Sequence, residues 1–308
     1  MPPSRRQFLE LMLSGAALAS WSSHAAAQER RGPITTTALA EHVHLLSGAG
    51  GNVLVVTGGD GLVLVNGGSS ERSPELLKAV STLAGGRRLT TLINTDWCAD
   101  HTGSNEAIGA IGAEIIAHEH TKQYLANDQF IEWQSRTYKA KPKSALPTKT
   151  FYTKGSLTAG GERLDYGHLG QAHTDGDIYV HLPSSNVLVA GDVLTVGRYP
   201  IADYTCGGWL GGLMAATKTL LDLADDGTRV IPGTGPVQTR ADLQAQFDML
   251  TTLRERLPKM MRQGMSAKDM LEAGATKEFD ARWGDPSLFL RVTYRGLWLH
   301  VRELGGIV

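Results

Sequence analysis

The sequence has few cysteines, almost no excess charge and no long apolar run. Cys98 and Cys206 are its only cysteines, so the one disulfide it allows joins these two residues. With 30 basic and 31 acidic residues, the formal net charge of −1 gives no reason to expect nucleic acid or an anionic membrane as a partner. The apolar stretch at residues 11–21 is interrupted by Ser and Gly and is too short for stable membrane insertion.

The N-terminus carries features of an export signal. Residues 4–9, Ser-Arg-Arg-Gln-Phe-Leu, resemble the twin-arginine motif, and the apolar stretch that follows leads to a small-residue cleavage site at residues 25–27. We therefore predict that residues 1–27 are a signal peptide. The protein would be bacterial, would interact with the twin-arginine export machinery and would reach the periplasm in folded form.

A cluster of potential metal ligands follows a predicted buried strand at residues 89–94. The cluster comprises Asp96, Cys98, Asp100 and His101. Carboxylate, thiolate and imidazole groups all bind zinc. A Gly-Ser-Asn turn then opens a predicted helix near Glu106, so a rigid strand, a ligand loop and a helix start lie in direct succession. This order predicts a metal site.

The cluster resembles the metal signature of the metallo-β-lactamase superfamily, usually His-x-His-x-Asp-His between a strand and a helix. Asp96 and Cys98 stand at the first two histidine positions, whereas Asp100 and His101 match the pattern. The resemblance therefore implies an altered metal-ligand motif.

Three later segments extend this resemblance over nearly all of the chain after residue 27. His173, in a Gly-Gln-Ala-His-Thr-Asp segment, matches the third histidine, and Asp192 matches the metal-bridging aspartate. Thr234, in a Pro-Gly-Thr-Gly turn, replaces the last histidine.

The ligand set implied by the resemblance falls into two sites. Asp96, Cys98 and His173 would hold one ion, with Asp192 alongside. Asp100, His101 and Asp192 would hold a second ion only weakly, because the hydroxyl of Thr234 is a poor ligand. We expect one zinc ion, with iron as an alternative, and we expect Asp100 and Asp192 to be the catalytic residues.

The resemblance also implies the fold, a mixed α/β (α+β) domain built as a four-layer αββα sandwich. Residues 28–240 would form this domain, and residues 241–308 a C-terminal helical extension packed on it. The apolar runs at residues 53–56 and 62–65 predict a hairpin. Beyond residue 240, leucines recur at helical spacing, and Pro258 is expected to end or bend that helix.

Several of these residues have alternative interpretations. Cys98 is a metal ligand, a disulfide partner of Cys206 or an inert buried thiol. His118 and His120 form a His-x-His pair for which we favour a structural role. Asp175 and Asp177 are expected to hold their loop in place, and either carboxylate would be able to orient His173.

The predicted activity is metal-dependent hydrolysis of a small carbonyl-containing molecule, such as a lactam, lactone, ester or thioester, by water that the metal activates. One alternative is a binding protein of this fold that has lost catalysis, since three family histidines are replaced. Another is a mononuclear metal enzyme with non-hydrolytic chemistry. The sequence does not choose among the substrates.

Overall fold

The computed structural model describes residues 32–59 and 61–300, and the predicted signal at residues 1–27 lies outside these ranges. The strands are β1 (Thr35–Ala40), β2 (Val43–Ser47), β3 (Val53–Gly58), β4 (Gly61–Val65), β5 (Leu89–Ile93), β6 (Glu114–His118), β7 (Gln129–Ile131), β8 (Arg136–Tyr138), β9 (Lys149–Phe151), β10 (Lys154–Ala159), β11 (Glu162–His168), β12 (Ile178–Leu182), β13 (Val187–Gly191) and β14 (Arg229–Pro232). The helices are α1 (Ser73–Ala84), α2 (Ala99–Thr102), α3 (Asn105–Ala110), α4 (Glu119–Ala126), α5 (Leu210–Leu223), α6 (Arg240–Arg262), α7 (Ala267–Glu272), α8 (Asp280–Trp283) and α9 (Ser287–Leu299).

Most of the strands form two sheets, and β7 and β8 form a separate ribbon. The first sheet has the order β1-β2-β3-β4-β5-β6-β9, and the second has the order β10-β11-β12-β13-β14. The predicted hairpin is present as β3 and β4, with Val56 opposite Val63. The pairs β4–β5, β5–β6 and β13–β14 are parallel, so β5 and β13 each lie beside a strand that runs in the same direction.

The two sheets pack face to face through alternate residues of their strands. Leu54 and Val56 of β3 point into the inter-sheet core, where they join Val180 and Val189 of the second sheet. The intervening residues of β3 face the opposite way and pack beneath α1. This alternation follows from the pleat, in which successive side chains point to opposite faces.

Helices cover both outer faces, which confirms the predicted four-layer αββα sandwich. The first sheet is covered by α1 and α3. The second sheet is covered by α5 and by the C-terminal helices, since Leu250 of α6 and Phe289 of α9 lie in one hydrophobic cluster with Leu188 of β13. No helix within the described residues is both long and apolar enough to cross a membrane.

The helix that contains Pro258 does not end there, contrary to one of the two outcomes expected from the sequence. Helix α6 continues to Arg262 with Pro258 inside it. Leu257, Pro258 and Met261 are all buried. Burial of this face stabilises the last turns and offsets the loss of the one backbone hydrogen bond that proline cannot donate.

His118 has a structural role, in agreement with the interpretation favoured from the sequence. It is the N-cap of α4, where its Nδ1 accepts a hydrogen bond from the backbone N–H of His120, and its ring stacks on His168 at 3.9 Å. Burial and the neighbouring His168 and His120 lower the pKa of His118 to about 4. The imidazole is therefore neutral when it caps the helix.

We expect stability to fall as the pH drops from about 6.5, the ordinary histidine pKa, towards 4, and His118→Asn to reduce that loss. The unfolded chain binds a proton in this window and the folded chain does not, so protonation favours unfolding. Asparagine keeps a capping acceptor without titrating. The free energy of unfolding in urea should be measured at pH 7 and at pH 4.5. Its decrease between the two pH values should be smaller in His118→Asn than in wild type, by roughly 1–2 kcal/mol. Equal decreases in wild type and in the variant would contradict the role of His118 as a neutral helix cap.

Candidate metal centre

The candidate ligands lie in loops that leave the ends of strands from both sheets. Asp192 directly follows β13, and Gly233 follows its parallel neighbour β14, so the two residues leave the same sheet edge. The loop after β5 is tied to the second sheet, because the backbone carbonyl of Thr95 accepts a hydrogen bond from the N–H of Ile178 at 2.9 Å. Residues distant in sequence therefore meet between the sheets at one end of the sandwich.

Two groups of potential metal ligands share the carboxylate of Asp192. Cys98, His173 and Asp192 form one group, and Asp96, His101 and Asp192 form the other. In the first group, His173 Nε2 lies 3.4 Å from Cys98 Sγ and 3.8 Å from Asp192 Oδ2. In the second, His101 Nε2 lies 3.7 Å from Asp192 Oδ1. Asp192 thus stands between the two imidazoles.

The ring of His173 is oriented by a backbone carbonyl, not by a carboxylate. Its Nδ1 donates a hydrogen bond to the carbonyl oxygen of Ile201 at 2.7 Å, which leaves the lone pair of Nε2 available to a metal. The interpretation that Asp175 or Asp177 orients this ring is therefore wrong. Asp177 instead accepts hydrogen bonds from the backbone N–H and the hydroxyl of Thr174, and Asp175 accepts one from the hydroxyl of Tyr124.

Asp96 lies in a different group from the one the sequence assigned to it. The prediction placed it with Cys98 and His173, but its Oδ2 accepts a hydrogen bond from His101 Nδ1 at 2.6 Å. Its Oδ1 accepts one from the backbone N–H of Cys98 at 2.8 Å. The side chain is fully buried and both oxygens already have donors within its own loop. Asp96 therefore orients His101, whose Nε2 points towards Asp192.

Two amide side chains hold this loop in place. Asn66, which takes a left-handed backbone conformation with φ 67°, accepts hydrogen bonds from the backbone N–H of Thr95 at 2.9 Å and from its hydroxyl at 3.1 Å. Asn94, at the end of β5, exchanges hydrogen bonds with the side chain of Asn105 in α3. The ligand loop is thus fixed at both its strand end and its helix end.

The close packing around the centre requires a glycine beside Asp192. A Cβ at Gly233 would overlap Asp192 Oδ1 and lie 2.7 Å from His101 Nε2. The next residue is Thr234, and its hydroxyl accepts a hydrogen bond from Arg198 Nη2 at 3.2 Å. Asp100 lines the adjacent cavity, but its carboxylate belongs to neither of the two ligand groups.

The charges of the centre are arranged for a cation. Burial, together with the negative charges of Asp96 and Asp192, raises the pKa of the Cys98 thiol well above its usual value, so a thiolate there requires a neighbouring positive charge. His101 Nε2 is buried and has no hydrogen-bond partner among the described residues. A buried nitrogen of this kind carries a large desolvation cost unless something binds it. These side chains fit a divalent metal ion.

A cavity of 330 Å³ opens directly above the candidate ligands Cys98, His173 and Asp192. Its walls are mainly apolar and come from the ligand loop after β5, the β7–β8 ribbon, the loop after β13 and helix α9. The larger apolar side chains in these walls are Trp97, Ile131, Trp133, Tyr138, Tyr199, Ile201, Leu288 and Phe289. Neither these walls nor Arg198 can be identified from the sequence, because only spatial proximity to the ligand loop distinguishes them from other residues.

The two cysteines are free and do not form a disulfide in the structure. Cys206 is buried in a small hydrophobic cluster with Trp97, Leu125 and Ile131. Cys98 lies instead at the floor of the cavity, beside His173. The disulfide alternative is therefore not the arrangement found, and Cys98 remains available as a ligand.

Solved structures of metallo-beta-lactamases and of an alkylsulfatase share this fold. A metallo-beta-lactamase from Pontibacter korlensis matches with a TM-score of 0.58 and 22% identity, covering 71% of this chain and 99% of the other. DIM-1 metallo-beta-lactamase matches with a TM-score of 0.57 and 19% identity, covering 72% and 98%. The sec-alkylsulfatase Pisa1 from Pseudomonas sp. gives a TM-score of 0.65 at 17% identity, covering 85% of this chain but 50% of the other.

The family model of the metallo-beta-lactamase superfamily matches residues 46–235. This segment is more than half of the chain, and it contains both groups of candidate ligands together with Thr234. At these low identities, the likeness to the solved structures shows the fold alone. The sandwich with its ligand loops at one end agrees with that fold. By the extent of this match, the chain belongs to the metallo-beta-lactamase superfamily.

Proposed function

We propose that this protein is a metal-dependent hydrolase with one catalytic ion. The observation that carries the proposal is the convergence of Cys98 Sγ, His173 Nε2 and an Asp192 oxygen within 4.8 Å of one another at the floor of the cavity. Sulfur, nitrogen and oxygen donors together favour zinc, although iron also accepts such ligands. His101 Nε2, on the other side of Asp192, is available as a further ligand.

The ion would act as a Lewis acid, which would polarise the substrate and make a bound water molecule more acidic. The chain's own residues position the reactants around it. Asp192 lies between His101 and His173, and Asp100 lines the same cavity without belonging to either ligand group. We assign Asp100 the role of accepting a hydrogen bond, and then the proton, from the attacking water. Asp96 keeps His101 in its orientation.

The cavity walls support a small substrate with an apolar group. Trp97, Trp133 and Phe289 offer aromatic surface beside the ligands, and such walls bind apolar groups while excluding bulk water. Lactams, lactones, esters and thioesters fit this description. The likeness to a sec-alkylsulfatase adds sulfate esters to the substrates worth testing.

The altered ligand motif also supports a second candidate, a binding protein of the same fold without turnover. Asp96, Cys98 and Thr234 stand where the superfamily usually has histidines. Fewer imidazoles and more anionic ligands make a less positive metal centre, which is a weaker Lewis acid. A mononuclear enzyme with non-hydrolytic chemistry at iron is the remaining candidate. Export to the bacterial periplasm by the twin-arginine route is a separate proposal, supported by residues 4–9 and 25–27.

Metal analysis combined with cobalt substitution tests the proposal. We expect purified protein to contain about one transition-metal ion per chain, and the cobalt form to show a sulfur-to-cobalt charge-transfer band, because a thiolate ligand produces one. Cys98→Ser should abolish the band and metal-dependent turnover on an ester, lactone, lactam, thioester and sulfate-ester panel. Cys206→Ser is the matched control and should keep both, since this buried thiol does not line the cavity and belongs to neither group of candidate ligands.

The outcomes separate the candidates. Metal content near zero after gentle purification would favour the binding protein. One zinc per chain with no turnover on any member of the panel would also favour it, whereas native iron would favour the non-hydrolytic enzyme. A charge-transfer band that persists in Cys98→Ser and disappears in Cys206→Ser would contradict the ligand assignment.

A further inference from the structure

Among the described residues that line the cavity, Arg198 is the only lysine or arginine. It lies in the loop after β13, and its Nη2 donates a hydrogen bond to the hydroxyl of Thr234 at 3.2 Å. Thr234 occupies the position where the superfamily usually supplies the last histidine ligand of a second ion. A positive side chain is thus bound to the position that would otherwise complete that ion's coordination.

The loop that carries Arg198 is held in place by a series of hydrogen bonds that leads to a buried glutamine. The hydroxyl of Thr195 donates to the backbone carbonyl of Arg198 at 2.8 Å, and the backbone N–H of Thr195 donates to Gln246 Oε1 at 3.2 Å. Gln246, fully buried on α6, also donates through Nε2 to the carbonyl of Val193 at 2.7 Å. The backbone of Arg198 is therefore anchored to the helical layer, although its side chain is exposed.

A second ion bound through residue 234 would lie close to this guanidinium group. A zinc ion binds nitrogen or oxygen ligands at about 2 Å. An ion held at the Thr234 oxygen would therefore lie within roughly 5 Å of Arg198 Nη2, a separation at which two positive charges repel each other. Gly233 packs directly against Asp192 and His101, so the turn has little room to move away from them.

We propose that Arg198 takes the place of the second metal ion, holding its positive charge against Thr234 and so excluding that ion. The inference rests on the proposed metal centre. It differs from the simpler explanation that Thr234 alone prevents binding because its hydroxyl is a weak ligand. Under that explanation, a histidine at position 234 would restore the second ion. Under our proposal, the second ion binds only when the guanidinium group of Arg198 is removed as well.

Metal counting in a set of variants distinguishes the two explanations without relying on turnover. Each protein is equilibrated with excess zinc, separated from unbound metal by gel filtration and analysed for zinc per chain. We expect one ion in wild type and in Thr234→His, and two ions in Thr234→His combined with Arg198→Gln. Thr234→His with Arg198→Lys should stay at one because it keeps the charge. Thr234→His with Arg88→Gln, which removes an exposed arginine that does not line this cavity, should also stay at one.

Each result supports or overturns the inference. Two ions in Thr234→His alone would overturn it, because the guanidinium would then not exclude the metal. One ion in the combination with Arg198→Gln would overturn it too. A wild-type count near zero would refute the metal centre itself, and this inference with it. Thr234→Cys repeats the series with a smaller ligand, so a failure of the histidine variants to fold would leave the question decidable.

Discussion

Asp192→Ala is expected to leave the protein without tightly bound metal and to lower kcat/KM by about three orders of magnitude or more. Its carboxylate is the one group shared by both sets of candidate ligands, and its two oxygens lie 3.7 Å from His101 Nε2 and 3.8 Å from His173 Nε2. Removing it takes a ligand from the ion and leaves two imidazoles without the negative charge between them. Zinc content and turnover of the purified variant provide the measurement.

Asp96→Asn is the informative comparison for that variant. Both oxygens of Asp96 accept hydrogen bonds inside the ligand loop. We therefore expect the loss of the Asp96 carboxylate to weaken zinc binding by about 10–100-fold without abolishing it. Zinc affinity measured by competition with a chelator of known strength gives the ratio. Complete loss of metal in Asp96→Asn, equal to that in Asp192→Ala, would indicate that Asp96 is a direct ligand, as the family motif implies.

Phe289→Ala is expected to destabilise the protein by about 3–5 kcal/mol, the range for removing a buried aromatic side chain. Phe289, on the C-terminal helix α9, is 1% exposed and stacks on Tyr199 with ring centroids 5.0 Å apart. Its loss would leave a void between α9 and the loop after β13, beside the candidate site. Urea unfolding monitored by circular dichroism gives the free energy.

The adjacent residue offers a matched control for this prediction. Leu288 lines the same cavity but is 37% exposed, so Leu288→Ala should cost only about 1 kcal/mol or less. Similar losses in both variants, or a separate unfolding transition for the C-terminal helices, would contradict the view that residues beyond 240 share one core with the second sheet.

Local sequence patterns predicted individual elements of this fold, because such patterns depend on neighbours along the chain, whereas the four layers were implied by the resemblance to the superfamily. The β-branched runs around a glycine turn predicted the β3–β4 hairpin, and the leucine spacing after residue 240 predicted α6. Pro258 was less informative, since burial of its helix face outweighs its effect on the backbone. The β7–β8 ribbon carries no comparable pattern, because its strands are short and largely exposed.

The residues along the chain establish which donor side chains are present, and the family motif implies that they meet at the strand ends. How these donors are used follows from the packing of the folded protein. Cys98 and His173 are 75 residues apart, and their 3.4 Å contact depends on how the two sheets pack. The hydrogen bonds that turn Asp96 towards His101, and the contact of Arg198 with Thr234, depend on side-chain orientation within that packing. Spacing along a chain specifies which groups a loop carries, whereas the direction of each group follows from the partners that surround it after folding.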